Sequence, residues 1–159
     1  NNMQPAVKTL ILSGDKDFIQ LKRYGYVTQY NPCLKKYVEG LDPKMYIAEH
    51  VLKGDRSDGI PNFLSDDSCL VEGRRQKPLA KVKIARWITQ SPEDFCYSEE
   101  TMENYKRNRT LIDFDYIPKE ISQKIIDNYE SIVPPSRNKI FTYLVEKQLN
   151  DLVHYASEF

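Results

Sequence analysis

Hydrophobic and polar positions alternate along this chain in two different rhythms, a short one at the start and a longer one from residue 42 onward. Val7 to Ser13 opens with Lys8 and Thr9 and then runs apolar through Leu10, Ile11 and Leu12. That is the pattern of a strand covered on both faces inside a parallel sheet. Such a strand needs parallel neighbours, and none is obvious. The next candidate strands, Tyr26 to Tyr30 and Lys36 to Glu39, are short, with a turn expected between them at Asn31-Pro32.

Asp42-Pro43 then supplies an N-cap and first helical residue. Ile47, Ala48, Val51 and Leu52 form an apolar stripe, and Gly54 stops the helix. Further helices are expected over 78–90, 98–109, 118–131 and 137–154. On the first of these Ala80, Ile84, Trp87 and Ile88 share an apolar face. The series Ile117, Ile121, Ile125, Tyr129 and the series Phe141, Leu144, Val145, Leu149, Leu152 read as core. Pro134-Pro135 reads as a rigid connector.

Composition narrows the class. With 159 residues the chain has material for one modest core. Lys+Arg equal Asp+Glu at 23 each, so net charge does not announce a nucleic-acid partner and any such signal must be local. Cys33, Cys69 and Cys96 are odd in number and never in C-x-x-C, against a disulfide framework or a zinc site and in keeping with a reducing cytosol. No apolar run approaches the roughly 18–20 residues of a spanning helix, so no membrane is expected, and no leader sequence is read.

Ser13-Gly14-Asp15-Lys16-Asp17 lies where the apolar strand ends, and in open α/β sheets ligands gather over the carboxyl ends of strands. The plain alternative is that one aspartate caps a helix begun by Phe18, Ile19 and Leu21. A second cluster, Gly54-Asp55-Arg56-Ser57-Asp58-Gly59-Ile60-Pro61, sets two carboxylates three apart in a glycine-bounded turn. Together they offer up to four hard oxygen ligands without His or Cys, chemistry for Mg²⁺ or Mn²⁺ and for metal-assisted phosphoryl transfer.

Between Glu72 and Arg86 stand six basic residues, Arg74, Arg75, Lys77, Lys81, Lys83 and Arg86, against the single acid Glu72. Gly73 and Pro78 put the first three on a loop and at a helix start, where they read as phosphate contacts. Most of the eleven tyrosines sit at helical spacings and read as packing residues. Tyr105, beside Lys106 and Arg107, is the exception that reads as a stacking candidate. His50 and His154 have no partner in sequence and receive no role.

The order strand, S-G-D-K-D-F, helix, then G-D-x-x-D-G-I-P resembles the 5′-nuclease superfamily, which includes flap endonucleases and the 5′-exonuclease domain of bacterial DNA polymerase I. Asn104 to Pro118 (NYKRNRTLIDFDYIP), Val71 to Arg75 and Pro134 to Ile140 resemble ribonuclease H of T-even phages in particular. The likeness runs from about residue 7 to the terminus.

The resemblance implies that Asp15, Asp17 and Asp58 belong to the metal-binding, catalytic carboxylates. Asp15 would lie nearest the catalytic ion, with Asp17 and Asp58 helping to hold a second. Asp55 would sit in the same metal-binding turn and order it. Asp113 and Asp115 match a non-catalytic segment and read as surface or capping groups, with Leu111, Ile112, Phe114 and Ile117 as core. A helical hairpin that grips the duplex follows the aspartate turn in the family, in many members with a G-x-G-x-K potassium site. Here Ser65 to Leu70 occupies that region without the signature.

The family draws further carboxylates and most of its sheet from a stretch preceding the matched strand, so an amino-terminal half is expected as a missing partner. The expected fold is an α/β parent of the 5′-nuclease, PIN-like kind, with this chain mainly helical and carrying a small remnant of the parallel sheet. Residues 1–61 would be the end of the catalytic domain and 62–159 a helical nucleic-acid-binding region. The expected activity is a 5′ to 3′ exonuclease or flap endonuclease that uses two Mg²⁺ or Mn²⁺ ions. It would act on RNA-DNA hybrid and duplex DNA in phage primer removal, in the cytoplasm of the infected host. The alternative is a module that binds nucleic acid or a replication partner, such as a phage single-strand-binding protein, without cleaving. An unrelated Mg²⁺ phosphatase would call for a nucleophilic Asp or Ser near the first strand, a context these aspartates lack.

Overall fold

The computed structural model describes residues 7–40, 42–133 and 137–158. The expected Pro134-Pro135 connector lies outside them. The chain divides into two compact units, one ending at Ile117 and one starting at Pro118. The expected functional boundary at 61/62 falls inside the first unit, where Phe63 packs on Leu52 in one core.

The first unit opens on a three-stranded mixed sheet in the order β1 (Thr9–Leu12), β2 (Val27–Asn31), β3 (Lys36–Tyr37). β1 and β2 are parallel, with Ile11 opposite Gln29, and β2 and β3 are antiparallel. The parallel neighbour that was not evident in sequence is therefore β2, reached through a 3₁₀ helix, Lys16–Arg23. Coverage of β1 on both faces does not hold in this chain. Leu10 and Leu12, which point to the same side by the strand's period, are 50% and 67% exposed.

Helix α1 (Pro43–Lys53) forms as its sequence dictates: Asp42 accepts a bond from the Met45 N–H at 2.8 Å and Pro43 occupies the first turn. Val51 and Leu52 are fully buried, and Gly54 ends the helix at φ +67°. After an extended stretch of turns come α2 (Lys81–Trp87), α3 (Pro92–Phe95), α4 (Glu99–Ile112) and a 3₁₀ turn, Phe114–Tyr116. Helix α2 is shorter than the expected 78–90, beginning after Pro78-Leu79-Ala80. Ala80 is exposed, and Leu79 packs on the core in its place.

That core is aromatic. Phe63 meets Trp87 and Phe95 edge-on, each at 5.6 Å between ring centres, and Phe95 meets Tyr105 at 5.7 Å. Each such pair is worth about 0.5–1.5 kcal/mol beyond its buried area. Tyr105 is thus a packing residue and not a free stacking surface. Tyr24, Tyr26, Tyr37, Tyr97, Tyr116, Tyr129, Tyr143 and Tyr155 are exposed, against the expectation that most tyrosines pack.

Buried amides tie the unit together. Gln20 donates to Ile112 O at 2.8 Å and accepts from Phe114 N, while Asn108 Nδ2 donates to both Val51 O and Pro61 O. Asp113 is buried, not on the surface; it caps the 3₁₀ turn and pairs with Arg109 at 2.7 Å. Of the expected core residues here Ile112 is buried and Phe114 half-buried, whereas Leu111 and Ile117 are exposed.

The second unit contains α5 (Lys119–Ser131), a 3₁₀ turn (Arg137–Lys139), α6 (Ile140–Glu146), α7 (Asn150–Val153) and a 3₁₀ turn (Ala156–Glu158). The expected single helix over 137–154 is broken at Gln148, whose φ is +56°. The Gln148 N–H bonds Val145 O and the Leu149 N–H bonds Leu144 O, a Schellman closure with glutamine where glycine is usual. Ile121, Ile125, Tyr129, Phe141, Val145, Leu149 and Leu152 are exposed, so of the two expected core series Leu144 is buried. Among the described residues no helix is long and apolar enough to cross a membrane.

Candidate metal and nucleic-acid site

The end of β1 and the end of α1 meet at one cleft of about 700 Å³. Asp15, Asp17, Asp55 and Asp58 all line it, together with Tyr46, Glu49, His50 and Lys53 from α1. Two acidic clusters some forty residues apart in sequence thus face one space.

Asp15 is the N-cap of the 3₁₀ helix, its Oδ1 accepting the Asp17 N–H at 2.9 Å, and its own N–H donates to Ser13 Oγ. Capping does not take Asp15 out of the cleft. One carboxylate oxygen serves the helix, and the residue still lines the cleft. The Asp17 carboxyl is pushed above its ordinary range, first by burial and then by Asp15, with His50 opposing and Asp55 and Asp58 adding to the rise.

Asp55 organises the second cluster. Its Oδ1 accepts from Ser57 N at 2.8 Å, Ser57 Oγ at 2.5 Å and Asp58 N at 3.3 Å. The Ser57 hydroxyl is the largest cause of its lowered pKa. Ile60 N returns to Asp55 O at 2.7 Å to close the turn. Gly54 is required here: a Cβ would sit 2.3 Å from Ile60 O and 2.4 Å from Pro61 O. Asp58 is exposed, and among the described residues its carboxylate accepts no hydrogen bond.

His50, given no role from sequence, belongs to this cleft. Its Nε2 lies 3.2 Å from Asp55 Oδ2 and 3.9 Å from Asp17 Oδ1, and its ring stacks on Tyr46 with centres 5.3 Å apart. Burial and the carboxylates Asp17, Asp55 and Asp15 push the Tyr46 hydroxyl up to about 12. The signal lay in spacing: Tyr46, His50 and Lys53 form the polar stripe of α1 opposite Ile47, Val51 and Leu52.

The donor set suits a hard divalent cation, since it is carboxylate-rich, and burial followed by repulsion from its neighbours lifts Asp17. It is not a complete cage. Among the described residues no three His, Cys, Asp or Glu side chains converge closely enough to hold an ion by themselves.

The basic residues all lie on the surface, Arg74, Arg75 and Lys77 on the loop before α2 and Lys81, Lys83 and Arg86 on it. Buried Asn62 and Ser65 anchor the loop: Asn62 Nδ2 donates to Lys77 O at 2.9 Å, and Ser65 Oγ accepts from Lys77 N. The six are not equivalent. Arg74 is held by Glu72 at 2.6 Å, Asp66 at 2.9 Å and Ser68 Oγ at 2.7 Å. Lys77 lies 3.6 Å from Glu100 and Lys83 sits over the Trp87 ring. Arg75, Lys81 and Arg86 make no ion pair among the described residues.

Comparison with known proteins finds a relative and a matching family model. Ribonuclease H of Enterobacteria phage T4 is 36% identical over 159 residues, covering 96% of this chain and 52% of that protein. The chain thus spans about half the length of the curated relative it matches. The family model described as T4 RNase H, C terminal, matches residues 41–159, from before α1 through the second unit. The chain belongs to the family of the C-terminal part of T4 RNase H.

Proposed function

We propose that the chain is part of a metal-dependent 5′-nuclease that cleaves phosphodiesters from a 5′ end or at a flap, on RNA-DNA hybrid and duplex DNA. The observation that carries this reading is the convergence of Asp15, Asp17, Asp55 and Asp58 on one cleft. Family membership and the name of the phage T4 relative support it. Primer removal in phage replication, in the cytoplasm of the infected host, is the setting that fits, on a PIN-like α/β parent fold.

In this reading Asp15 and Asp17, with Asp58 from the turn, hold Mg²⁺ or Mn²⁺, and Asp55 fixes the turn from which Asp58 reaches. Divalent ions bound there would supply an activated water and neutralise charge on the leaving 3′ oxygen. The aspartates position and do not act as bases. Arg75, Lys81 and Arg86 meet backbone phosphates, with Arg74, Lys77 and Lys83 beside them. Among the described residues the four carboxylates do not close a shell, and further oxygen ligands, water among them, would complete it.

That same incompleteness favours a second reading for the chain alone, a module that holds nucleic acid or a replication partner without cleaving. Mg²⁺-dependent nicking of a 5′-flap duplex by the full-length protein, beside the 159-residue chain, separates the two. Asp58→Asn in the full-length protein tests the site: cleavage at low Mg²⁺ should fall about tenfold or more. Its melting temperature should barely move, because Asp58 is exposed. Wild-type cleavage by that variant would remove Asp58 from the site.

A further inference from the structure

β2 carries a buried glutamine where the rhythm of a strand calls for an apolar side chain. Gln29 is 1% exposed and stands opposite Ile11 of β1. Its Nε2 donates to Ser13 O at 2.9 Å and to Asp15 O at 2.6 Å. Both acceptors are carbonyls, so the orientation of the amide is forced: its NH₂ must face them. Its Oε1 is then left buried without a hydrogen-bond partner among the described residues. A buried amide oxygen without a donor lowers stability.

The place where Gln29 acts explains why that cost is tolerated. The backbone ladder between β1 and β2 makes its last bond from Ser13 N to Tyr30 O. Past Ser13 the chain leaves the sheet for the Asp15–Asp17 segment, and the Gln29 side chain takes over as its tether. Asn31, two residues along the same strand, presses the same segment: a Cβ on Gly14 would lie 2.9 Å from its Nδ2.

We infer that Gln29 is a positioning residue that holds Asp15 and Asp17 at the cleft by clamping the carbonyls on either side of Gly14. It touches neither substrate nor ion and acts through the backbone of the aspartate segment. The inference rests on the reading of the cleft as the metal site.

The experiment uses the full-length protein with Gln29→Met, which keeps size and removes the donors, and Gln29→Asn, which keeps the amide and loses its reach. Asp17→Asn serves as the site control. Mn²⁺ binding is followed by the electron paramagnetic resonance of free Mn²⁺, thermal melting is recorded in EDTA, and kcat and KM are measured on a 5′-flap duplex. Both Gln29 variants should weaken Mn²⁺ binding by about tenfold. They should also lower kcat with KM little changed, while the melting temperature holds or rises for Gln29→Met. If Asp17→Asn weakens Mn²⁺ binding and a folded Gln29 variant binds it like wild type, Gln29 is structural only and the inference is lost. A lowered melting temperature with unchanged Mn²⁺ affinity likewise makes Gln29 structural only. If Asp17→Asn also binds Mn²⁺ like wild type, the cleft reading itself fails and takes the inference with it.

Discussion

His50 Nε2 lies 3.2 Å from Asp55 Oδ2, so a helix residue and a turn residue five apart in sequence face each other across the cleft. With Oδ1 of Asp55 committed to its own turn, His50 is the neighbour of the other oxygen.

His50→Ala should therefore destabilise the metal-free protein by about 1 kcal/mol or less, the usual worth of one close ion pair. It removes the group that opposes the repulsion among Asp15, Asp17, Asp55 and Asp58. In millimolar Mg²⁺ the gap to wild type should shrink, because a cation bound as proposed would relieve the same repulsion. Thermal melts with EDTA and with Mg²⁺ make the comparison. An equal deficit in both would detach His50 from the acidic cluster.

Gly54→Ala should cost more than about 2 kcal/mol, since the φ of +67° disfavours any side chain and the carbonyls of Ile60 and Pro61 occupy the space a Cβ needs. Urea denaturation measures the loss. Gly59→Ala is the control: its φ of +76° also disfavours a side chain, but the space around it is open, and it should lose less.

Arg23 grips Asp115 through both guanidinium nitrogens, at 2.5 and 2.7 Å, and this bond is the first cause of the lowered Asp115 pKa. A depressed carboxyl contributes stability above its unfolded pKa of about 3.9 and loses it as pH falls through the folded value. Asp115→Asn should thus be less stable than wild type at pH 7 by under about 1 kcal/mol, because the Asp115 side chain is 60% exposed. The gap should close as pH drops below about 4. Denaturant melts at pH 7, 5 and 3 give the series, and a gap undiminished at pH 3 would be inconsistent with an ionic origin.

The basic surface should divide by its internal pairing. Arg75→Ala should reduce the slope of log K against log salt by about 0.9 for duplex binding, the signature of one phosphate contact. Arg74→Ala should alter it much less, because Asp66 and Glu72 already neutralise that guanidinium. Fluorescence anisotropy of a labelled 5′-flap duplex in Ca²⁺, across a salt series, reads both. Equal slopes for the two variants would mean that the loop pairs open on binding.

Where the chain carries local chemistry, its structure was legible in sequence. Asp42, Pro43 and Gly54 bound α1 because caps act on their own neighbours, and the two aspartate turns were found for the same reason. What failed was non-local. The period of Ile121, Ile125 and Tyr129 tells which residues share a face, not whether that face is covered. The parallel pairing of β1 with β2 leaves no mark in either strand alone. Gln148 breaks a helix without the glycine that would have announced it. Gln29 was hidden because a polar residue on an inward strand position reads as an edge or an exception.

Asn108 reaches from α4 to the carbonyls of Val51 and Pro61, one on each side of the aspartate turn and 57 and 47 residues away. The turn is therefore no independent flap. Asn108 pins both ends from which Asp55 and Asp58 project, and releasing those ends would cost two bonds inside the protein and loosen α4 from α1. Opening of the turn should therefore be coupled to loosening of that helix pair, and slow hydrogen exchange at the amide of Ile60, bonded within the turn to Asp55 O, would report it.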